Sequence, residues 1–481
     1  MTTGDRQAAA LRPGIAAQLG LFIGPALAIL IALLPPPEGL ERGGMLVAAV
    51  LVLMAVWWAT EVVPIAVTSL LPLGLLPLTG VASLRDIAAP YADQVVLLLL
   101  GGFIMAIGIE KWHLHRRIAL NVLLLSGARL KLLAGGFMLA TALLSMWISN
   151  TATSLMMAPI ALSVAVAAGG GPRLAGALLL GIAYSASIGG LATPVGTPTN
   201  LIAIGWLSEN AGIDISFREW MSLGLPVALI MLPLAWLILT WGLKSDAAAA
   251  RAAEATIRNQ RNALGRMTTP ETRVAIVFGV VALAWITREQ LVQIPLLAGL
   301  TDMGIAILGA ILMFLVPHGS HAPEHQPGGW ALLNWDDARA VPWDVVLLFG
   351  GGLSLAAAVQ ASGLAGWLGN SLAGFANVPP IILILIVVAI IIFLTEIMSN
   401  VAAMTTFLPV LGALAMATGV DVRSLIIPCA MAASCAFMLP IATGPNAVVF
   451  GMRQFSIGRM MRTGFWLNIA CVIIVTLYFG L

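Results

Sequence analysis

The chain has 481 residues, 60% of them hydrophobic and 9% charged, with a mean hydropathy of +1.02 and a formal net charge of +2. No soluble domain needs that much apolar surface, so the composition excludes a soluble protein, describes a polytopic membrane protein and makes nucleic acid an unexpected partner. In such a chain the placement of Lys and Arg matters more than their sum, because cytoplasmic loops collect them.

The first helix runs to about residue 34 behind Arg6 and Arg12, which place the N-terminus in the cytoplasm, at the plasma (bacterial inner) membrane. Pro35-Pro36-Pro37 follows without a small-residue cleavage pattern, so a retained helix is expected and not a cleaved signal. Two apolar spans near 44–59 and 62–80 come next. A fourth, over about 95–120, returns the chain to a basic cytoplasmic cluster of Lys111, Arg116, Arg117, Arg129 and Lys131. No basic residue then occurs until Arg173, and WISNTATSLMMAP places Ser149-Asn150-Thr151 near the midpoint. With basic ends on one side, 131–172 reads as a re-entrant hairpin tipped by that tripeptide; two complete crossings with a polar external turn are the competing reading. Non-helical backbone at membrane depth survives only where protein or a wet cavity surrounds it, so the tip should line a site.

The next helix, 173–208, is interrupted at TPVGTPTN, where two prolines and a glycine break it and leave carbonyls and amides without intrahelical partners. A span near 222–243 leads to a loop at 244–273 with six basic residues, again cytoplasmic. In the second half, helices near 274–288 and 298–317 and a span after Trp343 precede a second hairpin, 379–418, with Ser399-Asn400-Val401 near its tip. A second broken helix, about 424–452, is interrupted at ATGPN. Arg453, Arg459 and Arg462 mark the inside, and a last helix follows within 453–481.

These features repeat. Ser149 and Ser399 lie 250 positions apart, each ten residues ahead of a proline, Pro159 or Pro409, and the same offset carries Gly101-Gly102 onto Gly351-Gly352. GTPTN at 196–200 answers to ATGPN at 442–446 with an offset of 246. An odd number of spans between equivalent points inverts the halves. The expected fold is an all-α polytopic membrane protein of about 11 transmembrane spans, an inverted repeat with two re-entrant hairpins and two broken helices, as in transporters that work by alternating access.

SNTATSLMMAP, SNVAAMTTFLP, GTPTN and SCAFMLPIATGPNAVVFG, in that order with GGFIMAIGIEKWHLHRRIAL upstream where it belongs, resemble the signatures of the divalent anion/sodium symporter (DASS, INDY-type) family over most of the chain. The resemblance implies a sodium-coupled symporter of di- or tricarboxylates such as succinate, malate or fumarate, a homodimer whose transport domain moves against a scaffold like an elevator. Residues 1–130 would be first-half scaffold helices and 131–220 the transport part of repeat one. Residues 221–343 would be connecting and scaffold helices, 344–378 a scaffold helix and 379–452 the transport part of repeat two. Carried over onto this chain, the first sodium site would be Ser145, Ser149 and Asn150, closed by carbonyls around Gly196. The second would be Thr395 and Asn400 with the carbonyls of Met398 and Ala442. Substrate carboxylates would meet Ser149, Asn150 and Thr151 on one side and Ser399 and Asn400 on the other, with Thr197 and Thr443 from the breaks. Val401 stands where Thr151 stands in the first repeat and cannot donate.

The residues support the same chemistry. A small dianion at membrane depth needs counter-charge, yet beyond Lys131 at the outer end of the first neither hairpin holds Lys or Arg, nor do the stretches between Arg173 and Arg218 or between Arg423 and Arg453. Cations must then come from solution, and hydroxyl, amide and carbonyl oxygens suit a small hard ion such as Na+, at least two of them at two equivalent sites. Moving a dianion inward against roughly 100 mV costs about 4.6 kcal/mol, which two sodium ions cancel.

Glu61 and Glu396 read as intramembrane or interfacial acids; Glu396 is open between tuning an ion, carrying a proton and a structural pairing. His113 and His115 read as interfacial anchors, His318, His321 and His325 as solvated linker, and Cys429, Cys435 and Cys471 as buried thiols. No metal-protease motif or nucleophile–base set suggests an enzyme. A sodium-independent exchanger, a sulfate or other divalent anion carrier and an anion channel remain as rivals.

Overall fold

The computed structural model describes residues 15–127, 129–169, 171–243, 246–319, 329–375 and 377–481. Arg6, Arg12, His321 and His325, cited above, lie outside the described residues, as does Lys244, the first basic residue of the loop at 244–273. Among the described residues the regular structure is helical, with one isolated bridge between Pro317 and Ala331, and nine helical segments are long and apolar enough to cross a membrane.

The first part comprises α1 (Ile15–Leu33), α2 (Arg42–Thr60) and a short pair, α3 (Ile65–Thr68) and α4 (Leu71–Leu78), so the span expected near 62–80 is itself interrupted. The first repeat follows as α5 (Gln94–Lys111), α6 (Leu114–Leu125), α7 (Leu130–Ser145), α8 (Asn150–Ala167), α9 (Gly171–Gly190), α10 (Pro198–Ala211) and α11 (Phe217–Thr240). Then come α12 (Ala247–Ala263), α13 (Thr269–Ile286) and α14 (Asp302–Leu315). The second repeat has the same order: α15 (Trp343–Ala361), α16 (Leu364–Ser371), α17 (Pro380–Leu394), α18 (Asn400–Thr418), α19 (Arg423–Ala433), α20 (Gly444–Gly451) and α21 (Ile457–Gly480).

Three further expectations are revised. The fourth helix is two helices, because His113 takes the left-handed conformation (φ 56°) and turns the chain between α5 and α6. The element expected over 344–378 likewise divides into α15 and α16 at Gly363, φ 74°. The basic loop at 244–273 contains α12, capped by Asp246. It is pinned to the rest by Gln260 Nε2 donating to Ser163 Oγ at 2.9 Å and Arg261 Nε to Asn121 Oδ1 at 2.6 Å. Beside it the buried Arg117 guanidinium pairs with Glu271 at 3.0 Å and donates to the carbonyls of Leu264, Gly265 and Arg266.

Both broken helices are central. α9 is buried over 94% of its span window against 33–61% for the other candidates, so it is clothed by protein, not lipid. It packs on α7, α8, α11 and α20, while α19 packs on α10, α17, α18 and α21. A smaller apolar core joins α2, α4, α15 and α16, including Met54, Trp58, Leu76, Leu348 and Leu355.

Candidate functional site

The first hairpin turns in four residues, 146–149, and the second in five, 395–399. In the first, α7 ends at Ser145 and Ser149, in an extended conformation, caps α8 by accepting from Ala152 N at 3.2 Å. In the second, α17 ends at Leu394 and Ser399 precedes α18 with closely similar backbone angles (φ −59°, ψ 134°).

The breaks are shaped by proline and held by asparagine. Pro198 opens α10 and Pro445 sits in the first turn of α20, where a missing N–H costs nothing. Asn200 Nδ2 then reaches back across the gap to the carbonyls of Gly190 (2.9 Å) and Thr193 (2.8 Å). Asn446 Nδ2 does the same to Ala436 (3.0 Å) and Leu439 (3.0 Å). The two asparagines and their partners correspond at the offset of 246. The motifs alone assign neither asparagine a role, although its place at the end of GTPTN or ATGPN is the signal for one.

Both tips and both breaks meet at one cavity of about 660 Å³, a volume suited to a small metabolite. Of the residues expected at the site, Ser149, Asn150, Thr151, Gly196, Thr197, Met398, Ser399, Asn400, Val401, Ala442 and Thr443 all line it. Ser145 and Thr395 do not; they are fully buried. Ser145 Oγ donates to Asn150 Oδ1 at 2.5 Å and Thr395 Oγ1 to the carbonyl of Ile392 at 3.0 Å. The hydroxyl of Thr197 belongs to a buried cluster with Thr199 and Ser434, the last two 2.7 Å apart, which links the two repeats. Phe103, Ile397 and Ile441 add apolar wall. Glu61, left-handed at φ 47°, also lines the cavity, a position its sequence context did not reveal. A second cavity of about 360 Å³, lined by Trp206, Pro409 and Met416 among others, includes no tip residue.

No Lys or Arg lines the site cavity among the described residues. Positive potential comes instead from four helix N-termini, those of α8, α10, α18 and α20, whose first residues Asn150, Pro198, Asn400 and Gly444 all border it. Complementary oxygens lie beside them. Asn150 Oδ1 faces Ser145 Oγ at 2.5 Å, the carbonyl of Ala186 at 3.1 Å and that of Gly196 at 3.2 Å; turned over, the amide would present its N–H groups to the same three oxygens. Asn400 Oδ1 is buried with no hydrogen-bond partner. Asn400 Oδ1 thus sits where a cation would satisfy it, the oxygens of Ser145, Ala186 and Gly196 converge beside Asn150, and the residues present fit sodium as a ligand set.

The other conspicuous residues serve elsewhere. His115 Nδ1 contacts the carbonyl of Ile109 at 3.0 Å, His318 contacts the carbonyls of Gly319 and Gly329, and the three cysteines are buried and free.

An all-helical chain with repeated halves, a central cavity between two helical hairpins and two interrupted helices, is a polytopic membrane transporter. Residues 16–481 match the model of the sodium:sulfate symporter transmembrane region, and the chain belongs to that family, as its motifs led one to expect. It is 39% identical over 471 residues to the sodium-dependent dicarboxylate transporter SdcS of Staphylococcus saprophyticus, covering 95% of this chain and 90% of that protein. With SdcS of Staphylococcus aureus (strain USA300) the identity is 38% over 479 residues, covering 97% and 91%. Among solved structures the fold is similar to the YdaH transporter of Alcanivorax borkumensis (TM-score 0.60, 15% identity, covering 92% of this chain and 98% of that one). It is also similar to MtrF of Neisseria gonorrhoeae (TM-score 0.61, 12% identity, covering 97% and 94%).

Proposed function

We propose that the protein is a sodium-coupled symporter that brings dicarboxylates of the succinate, malate or fumarate type across the bacterial inner membrane, with its N-terminus in the cytoplasm. The observation that carries this reading is the pairing of four helix N-termini with two clusters of neutral oxygens, those of Ser145, Ala186 and Gly196 around the Asn150 amide and the unpartnered Asn400 Oδ1, at one cavity that has no basic side chain in its lining. The N-termini and the hydroxyls of Ser149, Thr151, Ser399 and Thr443 receive carboxylate oxygens through charge-assisted hydrogen bonds. One sodium ion is held by Ser145, Ser149, Asn150 and the Gly196 carbonyl. A second is held by Thr395, Asn400 and the carbonyls of Met398 and Ala442. Each ion neutralises part of the dianion, so neither is comfortable in the cavity without the other, and that mutual dependence is the coupling.

The two hairpins (131–172 and 379–418) are re-entrant, and with the broken helices they move as one transport part against the scaffold of a homodimer. The names of the two SdcS relatives support the same substrate and ion. The test is uptake of labelled succinate by purified protein in proteoliposomes, with sodium or choline outside. Saturable uptake only with sodium is expected, inhibited in a competition panel more strongly by malate and fumarate than by sulfate. Full-rate counterflow in choline would replace this reading with an exchanger, and ohmic current without saturation would replace it with a channel.

A further inference from the structure

The repeats differ at the join between hairpin and break. In the first, the carbonyl of Met146, just after α7, accepts a hydrogen bond from the Thr193 hydroxyl, a neutral tie. The residue 250 positions on is Glu396, 3% exposed, and its carboxylate is surrounded by donors. Oε1 accepts from Phe437 N at 2.8 Å, Met438 N at 2.9 Å and Asn468 Nδ2 at 2.7 Å, and Oε2 accepts from Leu439 N at 2.9 Å. None of the salt bridges among the described residues includes it.

Backbone accounts for the difference. α19 stops at Ala433, whereas the corresponding stretch of α9 continues to Gly190, with Leu191 N and Ala192 N still bonded to the carbonyls of Ile188 and Gly189. The earlier stop frees three successive amides at 437–439, and buried amides require an acceptor. Glu396 supplies it from the hairpin. It adjoins Thr395 and lies two residues before Met398, while the segment it grips runs to Ala442. The hairpin turn that carries Thr395 and Met398 and the segment that leads to Ala442 are thus tied together through one buried carboxylate.

We propose that Glu396 is a positioning residue that makes the two ion pockets unequal, bracing the second and lending it a formal negative charge that the first lacks, so that the second fills at lower sodium. This rests on the sodium reading above. The ion touches Thr395, Asn400 and backbone oxygens; Glu396 acts through the segments that carry them.

The experiment is the sodium-dependent rise in unfolding temperature of purified protein in detergent, titrated with NaCl against choline chloride. It is run on the wild type and on Glu396→Gln, each also in a Ser145→Ala background, which leaves the second pocket, and a Thr395→Ala background, which leaves the first. Glu396→Gln is expected to raise the sodium midpoint by roughly tenfold, the scale of a hydrogen-bonded charge, in the Ser145→Ala background. In the Thr395→Ala background it should leave the midpoint unmoved. Equal shifts in both backgrounds, or none in either, would overturn the proposal by making Glu396 a general structural brace. If Glu396→Gln does not fold, Asn468→Ala keeps the charge and the three amide bonds. It is expected to shift the midpoint about two- to threefold, again only with the second pocket intact, and equal shifts in both backgrounds overturn the proposal equally. A wild type stabilised no more by sodium than by choline would instead remove the sodium reading itself.

Discussion

Asn150 and Asn400 each place an amide at the mouth of a helix, Asn150 among the oxygens of Ser145, Ala186 and Gly196 and Asn400 with its oxygen unpartnered, and each serves ion and substrate together in the proposed mechanism. Asn150→Ala or Asn400→Ala is expected to abolish sodium-driven uptake in proteoliposomes while leaving membrane insertion and yield near wild type; normal uptake by either variant would remove that residue from the site. Close packing makes a neighbouring glycine as sensitive. A Cβ added at Gly444 collides with the Thr151 hydroxyl, so Gly444→Ala must push Thr151 away from the place where a carboxylate is received. The expected result is a KM for succinate raised about tenfold, the worth of one charge-assisted hydrogen bond, with expression retained. An unchanged KM would mean that Thr151 does not touch the substrate.

At the scale of elements, the interruptions behave as designed gaps. Each exposes several backbone groups in a buried setting, and one asparagine amide bridges two carbonyls across it, Asn200 in the first repeat and Asn446 in the second. Removing either amide leaves two buried acceptors empty. Asn200→Ala or Asn446→Ala is therefore expected to lower stability by roughly 1–3 kcal/mol, read as an earlier thermal unfolding in detergent. The pair between Arg117 and Glu271 plays a comparable part where α6 meets the start of α13. Its side chains are only 6% exposed, so Arg117→Ala strands a buried carboxylate and three carbonyls and is expected to cost about 3–5 kcal/mol. Glu271→Gln, which keeps an acceptor for the guanidinium, should cost less; the reverse order would refute this account of the joint.

Across the whole molecule, the proposed motion requires the first break to slide past α5. Gly102 on α5 faces Val195 in the break, with a built Cβ 3.7 Å from that of Val195, a separation that suits a disulfide. Gly102→Cys with Val195→Cys is expected to cross-link on mild oxidation, to lose most uptake, and to recover it with reductant. The native cysteines are buried, which limits competing bridges. Cross-linked protein that transports at the full rate would show that these two parts do not move apart during the cycle.

Much of this arrangement was legible in the chain itself. The membrane class follows from hydrophobic content, because apolar surface of this extent has no other solvent. The hairpin turns and helix interruptions follow from where serine, glycine and proline fall, since these residues act on the local backbone whatever surrounds them. Duplication was visible as two constant offsets, and 11 of the residues that the family resemblance implied for the site line one cavity. Other features belong to the tertiary structure alone. Glu61 lines the cavity because α2 ends beside it, and Glu396 meets amides about 40 positions away because a hairpin and an unwound segment happen to be packed together. A local pattern specifies local dihedral angles, whereas the convergence of four helix ends, and the partner each buried polar atom finds, depend on packing between distant segments that no short motif encodes.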